Sequence, residues 1–156
     1  MFVLGAKSIE NLRGVHPSLQ AVVKLAIRKT PIDFGVYEGV RDEGTQREYV
    51  AKGVSWTMDS KHLVQPDGYG HAVDLVPYVA GKMQWNWNAI YPIAAAVREA
   101  AIELGVRLRW GGTWSEAAYL PPSADSIEDV VDEYVRARKA AGKKANIDGP
   151  HWELIS

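Results

Sequence analysis

The sequence predicts an α+β domain, a small and mainly antiparallel sheet flanked by helices, formed as one unit over residues 1–156. Helix-like and strand-like segments do not alternate regularly, which argues against a repeated crossover unit and a parallel sheet. The chain has 156 residues, the size of one ordinary domain at ~100–200 residues each. No internal repeat, low-complexity tract or Gly/Ser/Pro-rich linker divides it.

The elements follow from local signals. Ser8 is placed to cap a short helix, SIENLR, that stops at Gly14. Pro17 suits the first turn of a second helix. There Leu19, Val22, Val23, Ala26 and Ile27 recur at helical spacing until Pro31. Phe34 to Val40 is rich in strand formers. Thr45 is expected to open a helix, TQREYVAK, closed by Gly53. Residues 54–70 read as a loop and HAVDLVPYV as a strand. Residues 88–104 give the clearest helix, with Ile90, Ile93, Ala94, Val97, Ala101 and Leu104 on one side and Gly105 as the stop. Val106 to Trp110 is a short strand. A helix at about 126–141 follows, with Ile127, Val130, Val131, Tyr134 and Val135 on its apolar side. The final HWELI is a strand.

Composition excludes several functions. Eighteen Lys and Arg against nineteen Asp and Glu leave a net charge of -1, so no global basic excess holds a nucleic acid. The basic residues Arg136, Arg138, Lys139, Lys143 and Lys144 are read as the solvated face and C-terminal end of a helix. No apolar run approaches the ~20 residues of a membrane span. Phe2 to Leu4 is too short for the ~7–15-residue core of a signal peptide, so no such peptide is expected. Cysteine is absent, which removes disulfides, thiol nucleophiles and thiolate metal sites together. Any metal must be held by His, Asp or Glu.

Only four histidines occur: His16, His62, His71 and His151. Three lie beside carboxylates in turn-rich surroundings, in the stretch from Ser60 to Asp74 and in Asp148-Gly149-Pro150-His151-Trp152-Glu153. Two imidazoles and a carboxylate make a zinc site that keeps a fourth position open, and a nearby carboxylate can serve as general base. His16, before Pro17, is read as structural, and Glu153 is given no catalytic role. Trp110 and Trp114 are expected to pack under the site. Trp85 and Trp87 are read as rim aromatics or as a staple on the long helix.

Six fragments then occur in a familiar order. They are Ser8 to Pro17; Glu38-Gly39-Val40-Arg41 with Gln46; Gly53-Val54-Ser55 with Ser60-Lys61-His62; Gly70-His71-Ala72-Val73-Asp74-Leu75; Trp110-Gly111-Gly112-Thr113-Trp114; and Asp148 to Leu154. In this order the chain resembles the VanY-type zinc peptidases of the hedgehog/D-Ala-D-Ala peptidase fold. Within them it is most similar to the L-alanyl-D-glutamate endopeptidases that tailed phages use as endolysins.

The resemblance implies one Zn²⁺ held by His62, Asp74 and His151, with Asp148 as catalytic base and Arg41 facing substrate or the developing oxyanion. The loop between His62 and Asp74 is longer than is usual in the family, and His71 lies within it. Positions 71 and 74 fall at an odd offset in a strand and should point to opposite faces, so His62 is the expected ligand. Residues 115–147 are read as an insertion carrying the extra helix. The implied substrate is the peptidoglycan stem peptide, cut at L-Ala–D-Glu by a monomer that accumulates in the host cytoplasm. The alternatives are a D-Ala-D-Ala dipeptidase or carboxypeptidase, and a non-catalytic wall-binding module.

Overall fold

The protein is described by a computed structural model that covers residues 1–55 and 57–155. The chain order is α1 (Ala6–Asn11), α2 (Pro17–Lys29), β1 (Phe34–Glu38), α3 (Glu43–Ala51), β2 (Ala72–Val79), β3 (Lys82–Met83), α4 (Trp87–Leu104), β4 (Leu108–Trp110), β5 (Ser115–Glu116), α5 (Ala124–Ala140) and β6 (His151–Leu154). A single 3₁₀ turn, Ala117–Tyr119, follows β5. The strands form one antiparallel sheet in the order β1-β2-β6-β4-β5, and β3 folds back on the end of β2. This is the α+β arrangement expected from the sequence. Among the described residues no helix is long and apolar enough to cross a membrane.

The two faces of the sheet have opposite chemistry because side chains alternate along a strand. One face carries Val73 and Leu75 of β2, Leu108 and Trp110 of β4, and Trp152 and Leu154 of β6 into the core. Helices α2 and α4 close that core with Leu19, Val22, Val23, Ile27, Ile90, Ile93 and Val97. Trp110 and Trp152 stack at 5.6 Å between ring centres, both fully buried. The opposite face carries Glu38, Asp74, His151 and Glu153. In register, Asp74 faces His151 on one side and Glu38 on the other. An irregularity between Val36 and Glu38 inserts Tyr37 into β1 and brings Glu38 opposite Asp74.

Local chemistry corrects two expected helix starts. Helix α1 begins two residues before Ser8, with Gly5 at its N-cap. Ser8 sits inside the helix, and its Oγ accepts the Val36 N–H at 2.9 Å. Asn11 Nδ2 donates to the Val36 carbonyl at 2.8 Å. Together they satisfy the free edge of β1, which would otherwise offer unpaired backbone groups. Helix α3 starts at Glu43 rather than Thr45, because Asp42 is the cap and accepts from Thr45 N–H at 2.7 Å. His16 caps α2 through Nδ1, which accepts from Ser18 N–H at 3.0 Å, and Pro17 occupies the first turn. Within residues 115–147, α5 packs on α4 through Ile127 and Val131.

Removing Ser8 Oγ strands a buried backbone donor. Ser8→Ala is expected to cost about 1–3 kcal/mol in urea unfolding with an unchanged m-value. A loss below about 0.3 kcal/mol would mean that water reaches the Val36 amide.

Candidate metal centre and cleft

His62, Asp74 and His151 come together on the polar face, each offering one ligand atom, with those atoms within 4.8 Å of one another. Asp74 arrives on the central strand β2, and His151 on the facing position of β6. His62 arrives from the loop after α3. Its backbone is tied by Arg41 N–H to His62 carbonyl at 2.9 Å and by His62 N–H to Ser60 Oγ at 3.2 Å. Both histidines are almost fully buried.

The outer nitrogen of each ring has a fixed partner. His62 Nδ1 lies 2.8 Å from the Gly39 carbonyl, which can only accept, so Nδ1 carries the proton. His151 Nε2 lies 2.8 Å from Glu153 Oε1, and an ionised carboxylate also accepts. The inner nitrogens, His62 Nε2 and His151 Nδ1, therefore turn lone pairs toward Asp74, each 3.4 Å from one of its oxygens. Asp74 Oδ1 is buried with no hydrogen-bond partner among the described residues. Two ring nitrogens facing an orphaned buried oxygen make a set of three donors that could hold a cation, and the donor types fit a divalent metal.

In the absence of a metal, a proton partly fills that need. Burial works against a charged His151, but Asp74 and Glu153 on its two nitrogens outweigh it and push its pKa up to about 10. Asp74 answers in the other direction. Burial opposes its charge, but the two histidines hold it well below the usual carboxylate range. Glu153 is also lowered; burial is overcome by the His151 hydrogen bond, with help from Arg109 and Lys61.

Asp148 and His151 bracket a turn that the core fixes. Asp148 N–H donates to the Gly111 carbonyl at 2.9 Å, and Gly111 N–H donates to the His151 carbonyl at 2.9 Å. A side chain at Gly111 would collide with the Asp148 carbonyl, so only glycine admits this approach. Trp110 Nε1 donates to the Gly149 carbonyl at 2.7 Å. The Asp148 carboxyl faces the cleft. Burial first, and then the neighbouring Asp74 charge, raise its pKa above the ordinary value.

These groups lie in a cleft of about 480 Å³. Arg41 lines it while almost fully buried. Its Nε donates to Glu38 and its Nη1 to Gln46 Oε1, both at 2.5 Å, and its guanidinium lies 4.6 Å from the Tyr49 ring centre. Nη2 has no partner among the described residues. The sequence-adjacent acids do not hold Arg41. Asp42 caps α3, and Glu43 pairs with Arg47 at 2.5 Å.

The tryptophans divide. Trp110 is in the core, whereas Trp114 walls the cleft with its ring 5.5 Å from His151. Trp85 stands at the rim beside Tyr37, and Trp87 packs beneath Gly149. His71 is outside the cluster. Its Nε2 meets Asp67 at 2.7 Å, and its ring packs edge-on against His16.

Glu153 and Glu38 are the contributors that sequence reasoning missed. Glu153 shares the His151 face because β6 is regular, a two-residue spacing visible in HWE. Glu38 pairs with Arg41 three residues on, and the irregularity in β1 that sets it opposite Asp74 has no sequence signal.

A buried two-histidine, one-carboxylate cluster in a cleft, with a further carboxylate beside it, could hold a metal ion in the manner of a hydrolase. The family model described as phage L-alanyl-D-glutamate peptidase matches residues 1–155, and the chain belongs to that family. It is 32% identical over 158 residues to the L-alanyl-D-glutamate peptidase of Escherichia phage T5, covering 99% of this chain and 98% of that protein. The crystal structure of the Serratia marcescens L-Ala D-Glu endopeptidase ChiX is similar, with a TM-score of 0.71 and 38% identity. The match covers 98% of this chain and 90% of that one.

Two outcomes follow for metal binding. A metal must displace the proton on His151, so affinity should rise with pH, by up to about tenfold per unit between roughly pH 6 and pH 9. Chelator competition at several pH values measures this, and a flat profile would contradict the protonated cluster. Glu153→Ala should weaken metal binding by about 10–100-fold, and Glu153→Gln, which keeps an acceptor, by less. Equal affinities for Glu153→Ala and the parent would show that Glu153 does not orient His151.

Proposed function

We propose that the chain is a zinc endopeptidase that cleaves the L-alanyl–D-glutamate bond of bacterial peptidoglycan stem peptides. In this reading His62, Asp74 and His151 hold one Zn²⁺, Asp148 is the general base, and Arg41 faces the reacting carbonyl. The observation that carries it is the convergence of two imidazoles, their outer nitrogens already engaged, on a buried Asp74 oxygen that has no hydrogen-bond partner among the described residues. Family membership supplies the bond. Two imidazoles and one carboxylate without thiolate favour zinc with an open position. We further propose that it works as a monomer on the host wall after release from the host cytoplasm.

A zinc ion held by His62, Asp74 and His151 would supply Lewis-acid charge and would lower the pKa of water at the site. Asp148, kept basic by burial and by Asp74, accepts the proton of the attacking water and can return it to the leaving amine. Arg41 is held in one orientation by Glu38, Gln46 and Tyr49, so its remaining N–H groups can meet negative charge developing on the carbonyl oxygen without reorganising. Trp114 and the Tyr37–Trp85 pair wall the cleft.

Digestion of purified sacculi, with and without a chelator, followed by mass spectrometry of the products tests the reading. Chelator-sensitive release of peptides beginning with D-Glu is expected; release of free D-Ala would replace the assignment with a D-Ala-D-Ala peptidase. Asp148→Ala should retain metal and lose on the order of 10²–10⁴-fold in kcat. Near-parental turnover would move the base elsewhere. Arg41→Lys keeps charge but loses the fork, and should lower kcat/KM at least ~10-fold with metal content unchanged. Parental rates in that variant would reduce Arg41 to a structural ion pair.

A further inference from the structure

The cleft is acidic. Glu38, Asp59, Asp74, Asp148 and Glu153 line it, against the two cations Arg41 and Lys61 and the two histidines. If the proposed bond is the one cut, the substrate brings more negative charge. A glutamate whose amine is in the scissile amide has two carboxyl groups. The peptide continues through at most one of them. The other remains an anion, only a few bonds from the scissile nitrogen. It enters a cleft whose fixed carboxylates repel it, and a cation must answer it.

The two cations are not equivalent. Arg41 is buried and already bound to Glu38, Gln46 and the Tyr49 face. Among the described residues Lys61 has no carboxylate within ion-pairing distance. It lines the same cleft as Asp148, His151 and Glu153. Its backbone is fixed. The carbonyl of Lys61 accepts from His71 N–H at 2.7 Å, and Leu63 N–H closes a turn on Ser60 at 3.1 Å. The long stem thus starts from a rigid turn beside His62 and ends in a movable charge.

We propose that Lys61 is the specificity residue of the cleft, pairing through its ammonium with the free carboxylate of the glutamyl residue on the leaving side of the scissile bond. This rests on the function proposed above. It predicts discrimination between two substrates of the same shape, one with that carboxylate and one with a carboxamide in its place. An ammonium–carboxylate bond in a partly desolvated cleft is roughly twice as strong as its neutral counterpart, and the amide cannot replace it.

The experiment compares kcat/KM on two synthetic stem peptides, one with D-glutamate and one with D-isoglutamine. The parent enzyme should prefer the acid at least tenfold. Lys61→Met, of similar length without charge, should lose that preference, mainly through KM on the acid. Lys61→Arg should retain it, and Lys61→Glu should invert it. Metal content is measured in each variant. A parental acid-to-amide ratio in Lys61→Met, with cleavage at the same bond, overturns the Lys61 assignment alone. Cleavage of neither peptide at the L-Ala–D-Glu bond by the parent enzyme overturns the functional reading and the Lys61 role with it.

Discussion

The pairing of β6 between β2 and β4 sets everything else in this protein. It places His151 opposite Asp74, two residues 77 positions apart in sequence. Strand side chains alternate with a period of two, so a slip of one residue would send His151 into the core and Trp152 into the cleft. The stacked Trp110–Trp152 pair makes that slip expensive, because both rings are fully buried and fill the inner face. Asp74 and His151 are therefore aligned by hydrophobic packing on the other side of the same sheet.

The same pairing reaches the turn before β6. Gly111, just after β4, holds Asp148 and His151 through its own carbonyl and amide. Trp110 holds Gly149 from below. Asp148 and His151 thus sit on one short piece anchored at both ends. His62, the third member of the cluster, comes from a loop, but the Gly39 carbonyl and the Arg41 amide tie it to the end of β1.

Much of this was legible in the sequence because the signals were local. The apolar stripes of α2 and α4, the Pro17 start of α2 and the Gly105 stop of α4 are short-range features. The ligand candidates stood out because histidine is scarce and cysteine absent. The odd offset between His71 and Asp74 separated those two residues correctly onto different surroundings. What stayed hidden depends on contacts distant in sequence. Ser8 looked like a cap because Ser favours caps, and its true partner is an amide 28 residues away. Arg41 was expected to face the cleft, but the Glu38 carboxylate that holds its guanidinium carried no signal in the sequence. Glu153 lay in view two positions from His151, yet its role required knowing that β6 stays regular beside two partner strands.

The central claim is that two imidazoles present opposite kinds of nitrogen to one metal, Nε2 from His62 and Nδ1 from His151. The direct measurement is a crystal structure of the zinc-loaded protein with anomalous data on both sides of the zinc edge. The account predicts one anomalous peak per chain in the cleft, at ~2.0–2.2 Å from His62 Nε2, His151 Nδ1 and an Asp74 oxygen, with His151 Nε2 still on Glu153. A peak held instead by His16, His71 and Asp67, or one reached through His151 Nε2 with Glu153 displaced, would contradict it.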